Sequence, residues 1–432
     1  MKLGTSRRSL LALGAAAPVV ATLGACGNRP GSSSADGATA WGLTGGAEEA
    51  MRASFEDWNE AHPDDQITAE YFANDAYKEK IRTAIGSGNA PTLVFGWAGA
   101  TLADYVANDQ VIDLTEPTSA LTDRVLPSVV QVGMIDGSVY AVPNNQSQPV
   151  VMYHNNEVLE AAGTGVPETW SDLLAAVEAL KAHDVVPIAL AGQSVWPELM
   201  WISYLADRVG GEAAFQRVLD GEAGAWSHPD MLRAAQMITE LVDAGAFGDG
   251  FASVVADAGA DHALVSTGKA GMILQGSWIY PEFLTNAPDL VASGGLIFST
   301  FPIVEGGAGD PSNIVGNPAN YWSVASSAPE DAQQTATDYL SEAVYNDEHI
   351  DALLAIGAVP PVVGLEDRIA EEENNEFLEF TYAMVRDAAH FELSWDQALP
   401  ADQAQELLNN LSRLFLGDIT AEQFAEAMDA TL

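Results

Sequence analysis

Between residues 38 and 97 the hydrophobic period of the chain switches repeatedly between two and 3.6, and that switching limits the folds open to it. Residues 39 to 43 (TAWGL) read as a strand. Glu48 and Glu49 open a helix whose Met51, Phe55 and Trp58 recur at helical spacing. Residues 67 to 72 (ITAEYF) alternate as a strand does. A helix near 75–86 follows, ended by Gly86-Ser87-Gly88 with Pro91 beyond. The apolar run TLVFGW, 92 to 97, suits a strand buried on both faces. This β-α-β-α-β rhythm implies right-handed crossovers and a parallel-type sheet covered by helices.

The rhythm resumes after residue 138. SVYAVP (138–143), VVMYHN (150–155) and VVPIALA (185–191) read as strands. Trp170 to His183 reads as an amphipathic helix behind Pro167-Glu168-Thr169, and further helices are expected near 197–209 and 229–244. In GKAGMILQGSW (268–278), AGMILQG is the strand and Ser277-Trp278 its C-terminal end. GLIFSTFP (295–302) and NYWSVAS (320–326) are further strands, and from about 329 the chain is almost all helix. The 395 residues from position 38 onward exceed one ordinary core. An α/β chain of two lobes with a helical C-terminal tail is the expectation. Its ligand cleft would lie beyond the carboxyl ends of the strands.

The N-terminus points to export. Ser6-Arg7-Arg8-Ser9 is a twin-arginine pair, and the apolar run Leu10 to Leu23 is too short for a convincing membrane span. Residues 1–25 read as a signal peptide. Leu23-Gly24-Ala25-Cys26 looks like a lipobox, and Cys26 is the only cysteine of the chain. Its place after a basic region and an apolar region decides against a buried thiol. A lipid on Cys26 and the Gly/Ser-rich tether that follows (26–37) would hold a globular body on the outer face of the cell membrane. Three of the basic residues, Lys2, Arg7 and Arg8, fall in the signal, which leaves 14 basic and 61 acidic residues and a net charge of −47. Such a body repels nucleic acid and anionic surfaces.

Little else carries chemistry. Gly268-Lys269 lacks both the Gly-rich turn before it and the Ser or Thr after it that a phosphate loop needs, so it reads as a helix-ending glycine with a solvated lysine. No two of the seven histidines stand at metal-ligand spacing, and neither a metal nor a cofactor is expected. There is no G-x-S-x-G, and no acidic pair stands out from an acidic background. The tryptophans are the informative set. Trp58 and Trp170 sit where packing explains them. Trp97 and Trp278 close strands beside small residues, and Trp395 lies in a break between helices. Spacing leaves each of these three open between core and site. Indole faces stack on the C–H face of a pyranose, whose hydroxyls need directed partners. Asp396, Asn144, Asn145, Gln146 and Gln148 are of that kind.

These pieces, in this order, resemble the extracellular solute-binding proteins of carbohydrate ABC importers, the group that includes maltose-binding protein. FEDWNEAHPDDQITAEY, IGSGNAPTLVFGWAGATLADYVANDQVIDL, DGSVYAVPNNQSQPVVMYHNNEVLEAAGTGVPETWSDL, GKAGMILQGSW and LSWDQALPADQAQELLNNL carry the likeness over nearly the whole mature chain. Thr92 departs from it, standing where the family usually has Asp after Pro. The resemblance implies a two-lobe periplasmic-binding-protein-like fold with a central cleft. One lobe would be 38–145 plus 302–345, the other 146–301 plus 346–432. It implies that Trp97, Trp278 and Trp395 stack sugar rings, with Trp196 near a further aromatic position. Asp396 and one or more of Asn145, Gln146 and Gln148 would bind hydroxyls. It further implies a non-enzymatic monomer that captures a neutral oligosaccharide and passes it to a membrane permease. FGWAGATLADYV and WDQALP look closest to actinobacterial binding proteins for xylobiose and other short xylo- or gluco-oligosaccharides. The alternatives are a secreted carbohydrate-active enzyme, or a binding protein for a polyol, amino acid, peptide or glycerol phosphate.

Overall fold

A computed structural model describes residues 37–432. The twin-arginine pair, the apolar run and Cys26 lie outside the described residues. Thirteen strands follow in chain order: β1 (Ala38–Leu43), β2 (Ile67–Phe72), β3 (Leu93–Gly96), β4 (Met134–Ile135), β5 (Ser138–Val139), β6 (Val142–Pro143), β7 (Gln148–Asn155), β8 (Val186–Ala189), β9 (Ala270–Gly276), β10 (Leu296–Ser299), β11 (Ile314–Asn317), β12 (Tyr321–Val324) and β13 (Phe391–Leu393).

The first sheet has the order β2-β1-β3-β12-β6. β1 pairs in parallel with β2 and β3, as the alternating rhythm requires, but β12 runs antiparallel to both β3 and β6. The parallel sheet expected from the opening rhythm is therefore a mixed one. β12 follows β3 only after the whole second sheet up to β11 has intervened, so no short helical crossover dictates its direction. Thr92 ties β3 to β1, its N–H donating to Thr39 Oγ1 at 3.1 Å. Helix α1 (Glu48–Ala61) buries Met51, Phe55 and Trp58, the stripe expected of it. Helix α2 (Asn74–Gly86) buries Tyr77, Ile81 and Ile85. Helix α3 is Gly99–Ala107.

The second sheet has the order β13-β11-β7-β9-β8, with β10 also on β7. Central β7 is eight residues long and wholly buried. Val150 and Met152 enter one apolar cluster while Val151 and Tyr153 enter another, the period of two expected of a strand covered on both faces. β9 matches the AGMILQG strand residue for residue. Beyond its N-terminal end, Gly268 takes a left-handed φ of 70° and Lys269 is exposed. The glycine ends a turn and the lysine is solvated, as the sequence indicates.

Three local expectations are corrected. The strand expected over 138–143 is two short pieces because its halves join different sheets: β5 pairs with β4 across the Asp136-Gly137 hairpin turn, β6 pairs with β12, and between them the N–H groups of Tyr140 and Ala141 both donate to the Gly133 carbonyl. β11, placed by its position within 302–345 on the first lobe, pairs with β7 and β13 of the second sheet. Conversely, Ile350, Leu353, Leu354, Val359 and Ile369, placed within 346–432 on the second, pack in the core under the first sheet. The chain crosses between the two sheets in three adjacent passes, near 144–148, 317–320 and 357–361. They are tied together by Asn144 N–H to Asn320 O at 2.9 Å and Ser147 N–H to Val359 O at 2.8 Å.

Candidate ligand-binding site

A cavity of about 690 Å³ lies between the two sheets. That is the size of an ordinary small-molecule site. The first-sheet wall is the turn Leu43–Ala47 after β1, Asn74 and Lys78 on α2, and Phe95 and Trp97 at the end of β3. These are the carboxyl ends of parallel strands, where such sheets bind ligands. The second-sheet wall carries Trp196, Asp257, Asp261, Gln275 and Trp278, and the crossing passes supply Asn145, Gln146, Gln148, Asn317 and Asn320. Asp396 and Gln397 complete it.

Trp278 is held by the backbone before it. A Cβ at Gly276 would stand 1.8 Å from a ring carbon of Trp278, so the indole lies directly on the glycine. Trp196 stands across from it, ring centroids 6.0 Å apart and tilted by 50°. Trp97 is fixed by edge contacts to Phe95 and Tyr77. Ala98, Gly99 and Ala100 follow Trp97. A Cβ at Gly99 would meet the Gln397 carbonyl oxygen at 2.3 Å, so their smallness admits the backbone of the opposite side.

Trp395 is not in the cavity wall. It is fully buried, stacked on Phe215 at 4.3 Å and edge-on to Trp226 at 5.7 Å, and its Nε1 donates to Glu392. Its expected role in stacking is corrected to core packing. The short helix Trp395–Ala398 begins at this residue and turns its neighbour the other way. Asp396 faces the cavity, accepting from Ser394 at 2.8 Å, from Gln397 at 2.8 Å and from Lys78 at 3.3 Å. The Lys78 ammonium also stands 5.0 Å from the centre of the Trp97 ring.

The polar inventory suits a ligand rich in hydroxyls. Gln146, Asn317 and Trp196 line the cavity, and their Oε1, Oδ1 and Nε1 atoms are buried with no hydrogen-bond partner among the described residues. Buried polar atoms without partners are rare, and each of these three belongs to a residue of the cavity wall. Gln148 is committed to Asn320, and Asn320 N–H donates to Asn145 Oδ1 at 3.4 Å. Five lining carboxylates, Glu48, Asp257, Asp261, Glu282 and Asp396, face one lysine that Asp396 already occupies. Asp257 accepts from the N–H of Asp75 at 2.9 Å, across the cavity mouth. It thereby caps α2, whose own N-cap residue is Ala73. Burial, with Asp257 opposite, holds Asp75 above the ordinary carboxylate range.

Asp257, Asp261, Gln275, Asn317, Asn320 and Lys78 escape a reading of the sequence. Gln275 alone leaves a trace there, as the one polar residue inside the apolar run of β9. Its Nε2 donates to Asp261 at 3.0 Å. Among the described residues, no three His, Cys, Asp or Glu side chains stand together as a metal site requires, and no helix is long and apolar enough to cross a membrane.

Residues 44–345 match the family of bacterial extracellular solute-binding proteins. The chain belongs to that family. Solute-binding proteins are receptors and not enzymes. A probable sugar-binding periplasmic protein of Rhizobium meliloti (strain 1021) is 28% identical over 209 residues, 47% of this chain and 48% of the relative. The xylose/arabinose-binding protein XacG of Haloferax volcanii is 25% identical over 250 residues, 55% of this chain and 52% of the relative. The chain thus spans about half the length of the curated relatives it matches. Among solved structures, one described in work on xylan utilization by the thermophilic bacterium Caldanaerobius polysaccharolyticus has a TM-score of 0.82. It is 27% identical over 92% of this chain and 100% of that one. A chitin oligosaccharide binding protein has a TM-score of 0.81 at 20% identity, over 92% and 98% of the two chains. The two-lobe periplasmic-binding-protein-like fold is common to them.

Proposed function

We propose that this solute-binding protein captures a short neutral oligosaccharide, of which xylobiose is the first candidate, and delivers it to the membrane subunits of an ABC importer. The observation that carries the reading is one cavity lined by Trp97, Trp196 and Trp278 together with buried, unpartnered Gln146, Asn317 and Trp196 polar atoms. Indole faces take the C–H side of a sugar ring, and the open donors and acceptors take its hydroxyls. Carboxylates without a free cation disfavour an anionic ligand. The two lobes are the layers around the two sheets, and the three crossing passes are their hinge. Ligand contacts on both walls then favour the closed arrangement. The exported chain is held at the outer membrane face through a lipid on Cys26 and acts as a monomer.

Titration with xylobiose, xylotriose and malto-oligosaccharides, read by tryptophan fluorescence and melting shift, tests this. A saturable response without product formation is expected. Trp278→Ala is expected to weaken binding about tenfold or more with little change in melting. A folded protein silent to every sugar on the panel rejects the oligosaccharide reading.

A further inference from the structure

Tyr345 is an aromatic residue with a left-handed backbone, φ 56°. Bulky residues avoid that region, and one found there is held by its surroundings. Four contacts hold this one. Its N–H donates to His349 Nδ1 at 3.1 Å, its ring stacks on the His349 ring at 15°, its carbonyl accepts from Arg124 at 3.0 Å, and its hydroxyl donates to the Asn145 carbonyl at 2.5 Å. Tyr345 is fully buried in the core under the first sheet and does not touch the cavity. Burial pushes His349 down to about 4, so at neutral pH its Nδ1 stays an acceptor and the lock stays engaged.

The phenol grips a peptide plane of the cavity wall. The Asn145 carbonyl belongs to the plane joining Asn145 to Gln146, and both side chains line the cavity. Fixing that plane fixes where the Gln146 amide stands, and Gln146 Oε1 is among the unpartnered acceptors there. We infer that Tyr345 is a positioning residue for ligand binding. Locked in a strained conformation by His349, it fixes the Asn145–Gln148 pass from behind. The inference rests on the receptor reading for what is bound, but not for what is held.

Tyr339 supplies the control. It is equally buried in the same core, and its hydroxyl meets Ser54 Oγ at 3.0 Å, away from the cavity. Tyr345→Phe and Tyr339→Phe each delete one hydroxyl and keep the ring. Amide hydrogen exchange of peptides covering residues 143–149 and titration with xylobiose and xylotriose are compared in the two variants. Tyr345→Phe is expected to speed exchange in that peptide, and to weaken sugar binding, by about three- to tenfold, the worth of one buried hydrogen bond. Tyr339→Phe is expected to lower the melting temperature and leave both readouts unchanged. His349→Gln, which loosens the lock but keeps the phenol, is expected to raise exchange in the same peptide by a smaller factor. Unchanged exchange at 143–149 in Tyr345→Phe, or an equal rise in Tyr339→Phe, overturns the inference. A wild-type protein that binds none of the sugars defeats the oligosaccharide reading instead, and the exchange result still decides the role of Tyr345.

Discussion

The two sides of the cavity bury different chemistry. Under the first sheet the core is apolar side chains and phenols, and His349 is its buried titratable group outside the tyrosines. The second side buries Glu198, Asp207, Arg208, Asp261 and Glu392, which are all the buried Asp, Glu, Lys and Arg side chains among the described residues. Charges removed from water are costly unless paired and hydrogen-bonded. The second side therefore gives up stability for a polar interior that reaches the ligand wall at Asp261 and Gln275. The first side contributes a dry platform that positions backbone, as Tyr345 does.

The sharpest way to break this contrast is to unpair a charge on the second side. Arg208 is fully buried, bonded to Asp207 and to the carbonyl of Asn313 at 3.0 Å. Arg208→Met strands the Asp207 carboxylate and is expected to cost about 3–5 kcal/mol by urea unfolding. A loss below about 1 kcal/mol would show that the pair is not a strong coupling. Next comes Trp395→Phe, which removes the donor to Glu392 while keeping most of the ring packing. A loss of about 1–3 kcal/mol is expected, with xylobiose affinity unchanged if Trp395 is core.

The pH dependence sharpens the same contrast. Burial pushes both Glu198 and Glu392 up to about 8. Their folded pKa lies above the unfolded one, so the unfolded state releases their protons first and stability falls as pH rises from the ordinary carboxylate range toward 8. Burial lowers His154 to about 3 and His349 to about 4, so stability also falls as pH drops from about 6.5. The two contributions oppose each other between 4.5 and 6.5, the ordinary values of the two groups, and maximal stability is expected there. Glu198→Gln with Glu392→Gln is expected to flatten the alkaline limb alone, measured as melting temperature against pH. The smallest effect is expected at the rim. Asp257→Ala removes the cap that the second side places on α2 and is expected to cost less than about 1 kcal/mol, showing mainly as faster sugar release in stopped-flow fluorescence.

Much of the frame is legible in the residues. β9 and the α1 stripe follow from periodicity, and Trp278 is found because a strand must end where it stands. Trp395 and Asp396 show the limit. They are adjacent, and only the start of a four-residue helix decides which one enters the core. β11 and β13 are equally hidden, since strands of four and three residues take their identity from each other and not from a pattern. The break at Tyr140 and Ala141 leaves no mark in the pattern of 138–143, because it is set by the two different strands, β4 and β12, that its halves pair with. Asp257 and Asn320 carry no local signal, because what makes them part of the wall is the approach of the opposite side.

The contact between the Trp278 ring and Gly276 has a consequence for descent. A side chain at 276 and an indole at 278 exclude each other, so neither position is free to drift while the other is kept. A lineage that changes its ligand by trading the aromatic at 278 opens position 276 only afterwards, and the reverse order meets a clash. The two positions form a ratchet in which a side chain at 276 records that the ring has left this place.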